Sequence, residues 1–265
     1  MDLYNKTVLL TGAAGGIGAS FAQALAGSGA KLVLVGRNLF ALDTLLESLP
    51  GTGHRAIPGD LGTAEGRLAV VNGCAEGIDV LINNAGVNHF GLLEAQSEEQ
   101  IRTMFELNTI APILLTQALL PQLVQRESIV VNVGSGFGSI GFAGYCGYSA
   151  SKFALRGFSE ALRRELADTP VSVLYLAPRA TATSMNPDHI VAMNLELGNA
   201  TDDPRVVAGA LMDLLAKPRG TRFLGWPERF FIKLNGLFPG LVDKALGKQL
   251  PVIRRHAVAV AAKGR

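Results

Sequence analysis

Cysteine is almost missing from this chain. Two occur in 265 residues, Cys74 and Cys146, with no CxxC spacing. That excludes a disulfide-stapled secreted scaffold and suits a reducing compartment, so a cytoplasmic protein is expected. The four histidines, His54, His89, His189 and His256, are scattered without ligand spacing, and no metal site is expected. Charge is sparse at 17% of residues, and the net charge of +2 is too small to argue for a nucleic-acid partner. No leader peptide is expected, because Lys6–Thr11 reads as a strand running straight into a glycine loop. The stretch 128–151 carries no charge at all, yet its Gly, Ser and Asn content argues against a membrane span.

The low net charge hides an asymmetry. From Lys217 to Arg265 there are eleven Lys or Arg against two acids, Glu228 and Asp243, a net +9, which leaves −7 on the remainder. Apolar residues make up 48% of the chain, enough for one large domain with a substantial core. Short β-branched runs alternate with longer helical patterns. Strands are predicted at Thr7–Leu10, Lys31–Val35, Arg55–Ile57, Val80–Ile82, Ile129–Val133, Val171–Tyr175 and Arg222–Leu224. Helices are predicted at Ile17–Ser28, Leu39–Ser48, Ala64–Cys74, Glu98–Leu120, Ser149–Asp168 and Arg205–Ala216. Strands spaced by helices of this length require crossovers, hence a doubly wound α/β fold: a parallel sheet of about seven strands with helices on both faces. The strands read as continuous apolar runs, as both-face burial requires. The pattern divides the chain into a domain over 1–225 and a basic amphipathic extension over 226–265.

The first strand leads into Thr11-Gly12-Ala13-Ala14-Gly15-Gly16-Ile17-Gly18 and then a helix. A strand-to-helix turn leaves N–H groups unpaired at a helix N-terminus, where the dipole favours a phosphate. Gly12 and Gly16 let the backbone approach a pyrophosphate, and Gly18 lets the helix close on the strand. The bland alternative is a tight turn with no ligand. The second strand ends Val35-Gly36-Arg37, with no carboxylate to accept from a ribose 2′-hydroxyl. A guanidinium holds a 2′-phosphate by charge-assisted bonds, which favours NADP(H) over NAD. Arg37 as a plain solvated charge is the competing reading.

Ser135 follows the fifth strand, and Tyr148-Ser-Ala-Ser-Lys152 opens a helix thirteen residues on. Tyr and Lys four apart share a helical face, and a nearby ammonium favours the phenolate, so Tyr148 can exchange a proton near neutral pH. Ser135 is placed to bond a substrate carbonyl oxygen. Tyr145 is the weaker candidate, since position 149 is Ser. Cys146 is read as pocket lining or packing, and His89 as an exposed loop residue.

These motifs, with Asp60-Leu61 after the third strand, Asn83-Asn84-Ala85-Gly86 after the fourth, Asn108, and Pro178…Thr183 after the sixth, resemble the short-chain dehydrogenase/reductase family over roughly residues 3–225. The resemblance implies a Rossmann-type fold and a hydride transfer between NADP(H) and a carbonyl or secondary alcohol. It implies cofactor contacts at Gly12, Ala14, Gly16, Ile17, Gly18, Arg37, Asp60, Leu61, Asn84, Tyr148, Lys152, Pro178, Thr181 and Thr183. It assigns catalysis to Asn108, Ser135, Tyr148 and Lys152, with Asn108 holding a water that links Lys152 to solvent. It also implies a homo-oligomer, dimer or tetramer, built on the helices that hold Asn108 and Tyr148. The alternatives within this frame are an NAD-linked alcohol or hydroxysteroid-type dehydrogenase and a non-catalytic dinucleotide-binding sensor.

The family pattern is broken at Arg179, which stands where the family usually has glycine. The residue is read as pointing outward, or as reaching an anionic part of substrate or cofactor. Beyond it, Met185, Ile190, Val191, Met193, Leu195 and Leu197 give an apolar lid, which favours a hydrophobic substrate. In the extension, Phe230, Phe231, Leu234, Leu237 and Phe238 form an apolar face beside Arg229 and Lys233. It suits either packing on the body or a second subunit, or peripheral contact with a membrane.

Overall fold

A computed structural model describes residues 1–263, with side chains as far as Val258. Seven parallel strands form one sheet: β1 (Thr7–Thr11), β2 (Lys31–Gly36), β3 (Arg55–Pro58), β4 (Val80–Asn83), β5 (Ser128–Val133), β6 (Val171–Ala177) and β7 (Thr221–Phe223). Their spatial order is β3-β2-β1-β4-β5-β6-β7. All seven predicted strands are present, most of them lengthened by a residue or two.

Alternation along the strands sorts the core into two layers. Val8, Leu10, Leu32 and Leu34 face one side, against Phe21 and Leu25 of α1 (Gly16–Gly27), Leu42 of α2 (Leu39–Ser48) and Leu211 and Leu214 of α8 (Pro204–Ala216). Leu9, Val33, Val35 and Leu81 face the other, against Val70 of α3 (Ala64–Gly73), Leu115 and Leu119 of α5 (Ala111–Leu123) and Leu162 of α6 (Cys146–Glu165). Several helices start on side chains that satisfy their free N–H groups: Asn38 for α2, Thr63 for α3, Asp203 for α8, and a reciprocal Ser97–Gln100 box for α4 (Glu98–Phe105).

The predicted helix 98–120 is continuous but not uniform. Between α4 and α5 the residues Glu106–Ile110 widen into a π turn, with Asn108 at its centre. The run Glu98–Leu123 is long and apolar enough to cross a membrane by length and composition, yet here Met104, Asn108, Leu115, Leu119 and Leu123 are buried in the protein. The uncharged stretch 128–151 is β5, the loop after it and the start of α6.

The extension packs on the body of the protein. It folds back as α9 (Glu228–Leu237), α10 (Pro239–Gly247) and α11 (Leu250–Lys263), burying Ile232, Val242 and Ile253. Ile253 joins Phe142, Tyr145, Ile190 and Met193 in a third apolar cluster. The expected lid is a short helix, α7 (Asp188–Glu196), and only part of its apolar set packs inward. Ile190 and Met193 are buried, whereas Met185, Val191 and Leu195 are exposed. Glu196 at its end pairs with Arg255 and with His256 (3.0 Å), tying α7 to α11.

Candidate active site

Parallel strands deliver their C-terminal ends to one edge, and the sheet order reverses between β1 and β4, which opens a crevice there. The glycine loop, Arg37, Asp60-Leu61, Asn84, Ser135 and Pro178 each follow a strand at that edge. A cavity of about 600 Å³ occupies the crevice.

Its inner end is a backbone cradle. Gly12 has φ +63°, and a Cβ there would lie 2.8 Å from Ala85 Cα. A Cβ on Gly18 would overlap the Gly12 carbonyl at 2.2 Å, so α1 starts hard against the loop with its N-terminus aimed into the cavity. Asn84 locks this loop: its Nδ2 donates to Thr11 O (3.0 Å) and Gly12 O (3.2 Å), while its own N–H donates to Thr11 Oγ1 (2.9 Å). Gly12, Gly16, Ile17, Gly18, Asn84, Ser135, Tyr148, Lys152, Pro178, Thr181 and Thr183 all line the cavity. Ala14 sits exposed on the loop and Arg37 is exposed beyond β2. Asp60 accepts from the Gly62 N–H at 2.9 Å. The Leu61 side chain is buried in the second core layer, so what it can offer a nucleotide is backbone. These four and Asn108 stand outside the cavity lining.

At the far wall Tyr148 lies within hydrogen-bonding reach of Ser135, and Lys152 lies behind it with Nζ 5.9 Å from the ring centroid. Burial pushes the phenol up, and the Ser135 bond partly opposes it. Burial also drives Lys152 down to about 8. Its ammonium donates to Val133 O at 3.1 Å. Ser135 is held in turn, its Oγ accepting from Phe137 N–H (3.1 Å) and its N–H donating to Tyr175 Oη (3.4 Å). Lys152 thus bonds a backbone carbonyl and not the phenol, and for Tyr148 burial outweighs the Ser135 contribution.

Three hydrogen bonds hold the Asn108 side chain. Its Nδ2 donates to Val87 O (2.9 Å) and Ser151 Oγ (3.0 Å), and its Oδ1 accepts from Val87 N–H (2.8 Å). The π turn thus joins the chain after β4 to the helix bearing Tyr148 and Lys152.

Several wall residues carry no local sequence signal. Phe137, Phe142 and Tyr145 supply aromatic surface, with the Tyr145 ring 6.1 Å from that of Tyr148. Phe231, Ile232, Val242, Leu246 and Gln249 come from the extension, and Gln249 Oε1 is buried without a hydrogen-bond partner among the described residues. Cys146 is exposed and does not line the cavity, against expectation, and His89 is half-buried. Arg179 does not face solvent freely: it lines the cavity, with Nε buried and without a hydrogen-bond partner among the described residues. It clasps Asp202 (2.7 Å) and Glu228 (3.3 Å), and its side chain is 19% exposed.

A doubly wound sheet, a glycine cradle at its switch point and a Tyr–Ser–Lys cluster in the cavity wall define a dinucleotide-binding oxidoreductase. A profile of the short chain dehydrogenase family matches residues 6–192, and the chain belongs to that family. It is 34% identical over 200 residues to mouse dehydrogenase/reductase SDR family member 7B, a match covering 72% of this chain and 62% of the mouse protein. It is 32% identical over 236 residues to 3-oxoacyl-(acyl-carrier-protein) reductase FabG of Vibrio cholerae, covering 88% of this chain and 94% of that one. A short-chain dehydrogenase from Sphingobium yanoikuyae, solved in complex with NADPH, superposes with TM-score 0.76 at 30% identity, covering 90% and 95% of the two chains.

Proposed function

We propose that this oxidoreductase interconverts a ketone and a secondary alcohol on an apolar, extended substrate, with NADP(H) as the coenzyme. The observation that carries this reading is the half-buried Tyr148, within hydrogen-bonding reach of Ser135 and backed by Lys152, at the end of a glycine-cradled cavity. A nicotinamide dinucleotide fits: the cradle admits a pyrophosphate where a Cβ would collide, at the N-terminus of α1. When bound, it supplies or accepts the hydride.

The protein's own part is positional and protonic. Ser135 and Tyr148 hold the carbonyl oxygen of the substrate. Tyr148, kept neutral by burial, donates its proton to that oxygen during reduction and recovers it during oxidation. The Lys152 ammonium stabilises the phenolate left behind. Asn108 fixes the π turn against the helix of both residues; its water relay belongs to the same proposal.

Solved structures of this fold carry NADPH, NADP and NAD, so the fold does not choose among them. Arg37 and the start of α2 support the choice. The first turn of α2 has no acid, its N-terminus is capped by Asn38, and Arg37 precedes it directly. Together these favour a 2′-phosphate over a bare hydroxyl. The aromatic and aliphatic wall supports an acyl-chain, lipid-like or steroid-like substrate. Gln249 Oε1 would accept from a hydroxyl or amide N–H carried on it.

The test is a fluorescence titration with NADPH and NADH, with Arg37→Ala alongside. NADPH should bind the wild type more tightly, and the mutant should lose that preference by roughly ten- to a hundredfold. Equal binding of the two would move the assignment to an NAD-linked dehydrogenase.

A further inference from the structure

The outer wall of the cavity comes from beyond the family match, and the same helices turn a second apolar face to solvent. On α9, Ile232 is buried against the body while Phe231 lines the cavity. Phe230 and Leu237, seven residues apart and therefore on one side of the helix, point the other way. They are 49% and 74% exposed, with Trp226 at 68% and Phe238 at 59%. Trp226 and Phe230 lie together, their ring centroids 6.0 Å apart. Arg229 and Lys233 are exposed on the same helix between these residues, and Lys244 and Lys248 follow on and after α10. An aromatic centre with a cationic rim is the composition that seats a helix among lipid headgroups.

Charge selects the occupant. A second copy docked by this face about a two-fold axis would set the same cations against each other, from a segment that carries +9. An anionic bilayer meets them with opposite charge. We propose that the Trp226–Phe230–Leu237–Phe238 face docks on an anionic lipid surface and that the cavity, walled by the inner side of the same helices, takes its substrate from that surface. This second clause rests on the reading of the cavity as an apolar-substrate site; the docking itself does not.

Trp226 is the only tryptophan in the chain, so its emission reports this face alone. The full-length protein is titrated with phosphatidylcholine vesicles with and without phosphatidylglycerol, following emission and co-sedimentation. The expected result is a blue shift and sedimentation with the anionic vesicles only, weakened by added salt. Substituting Arg229→Gln with Lys233→Gln should weaken binding roughly twenty-fivefold, about fivefold per cation. Phe230→Asp with Leu237→Asp should abolish it while NADPH titration stays unchanged, which shows the fold intact. No shift and no sedimentation of the wild type overturns the proposal. So does equal binding to neutral vesicles, or a concentration-dependent dimer that shields Trp226. Turnover of a short water-soluble ketone should be the same in wild type and both variants. Its absence from all three would count against the proposed reaction and leave the docking result standing.

Discussion

Two effects act on one phenol in this site. Removing Tyr148 from water disfavours its anion, and the hydrogen bond from Ser135 favours it; burial is the larger. The neutral phenol is the form a carbonyl reductase needs at the start of its cycle. Lys152 matters once the proton has left, because a phenolate in a dry wall must be neutralised. With Lys152 brought down to about 8, the ammonium is present below that pH and lost above it. We therefore expect kcat/KM for reduction to fall as pH rises through about 8. In Lys152→Met that limb should vanish from a pH profile and the rate should be low throughout. Tyr148→Phe should cut kcat by about 10²–10⁴ and leave NADPH binding within twofold, since its hydroxyl serves the proton and not the cradle. Stability carries the matching sign. Between about 8 and 9 the unfolded chain binds a Lys152 proton that the folded one does not, so stability should rise with pH there, before the buried Cys74 thiol, pushed up to about 11, opposes it. An unfolding series in urea over that range that stayed flat would place the Lys152 transition elsewhere.

Elements show why some of the site is legible in the sequence and some is not. The glycine loop, Tyr148 with Lys152 and Ser135 are local signals, each carried by a few adjacent residues after a strand, and the apolar strands announce a sheet covered on both faces. What sequence spacing cannot show is which distant side chains come to rest on each other. Arg179 reads as an outward charge by spacing alone, yet Asp202 lies 23 residues on and Glu228 49, and only the fold brings the three together. Phe231 reads as part of a single apolar stripe, whereas α9 puts it in the cavity wall and Phe230 outside. The Arg179 clasp joins the segment after β6 to the first turn of α9, hence the lid side of the cavity to its outer wall. Arg179→Ala leaves two carboxylates side by side. It should lower stability by about 1–2 kcal/mol, less than a fully buried pair would. It should raise KM for an apolar ketone severalfold with NADPH binding unchanged. If steady-state kinetics showed the loss in NADPH affinity instead, Arg179 would belong to the cofactor site.

At the scale of the whole molecule, the helices that build the catalytic wall also carry an outer apolar face. Thr109 Oγ1 donates to Ser151 O at 2.9 Å, so the π turn and α6 are in direct contact through their inner sides. Outward on the same elements, Ile110, Leu114 and Phe153 are exposed, with Phe153 the residue next to Lys152. These exposed apolar side chains on adjacent helices are the basis on which we propose a two-fold helix-on-helix interface. Such an interface would use the π turn, α5 and α6, whereas the lipid-facing residues lie on α9 and at either end of it, so the two associations draw on different elements. They should separate experimentally. Leu114→Asp with Phe153→Asp should yield a monomer in sedimentation velocity and still move with anionic vesicles. The Phe230→Asp, Leu237→Asp protein should lose the vesicles and keep its oligomeric state. If instead the second variant were the one to dissociate, the face on α9 would be the subunit interface, and the cationic rim would have to be neutralised by acids of the partner.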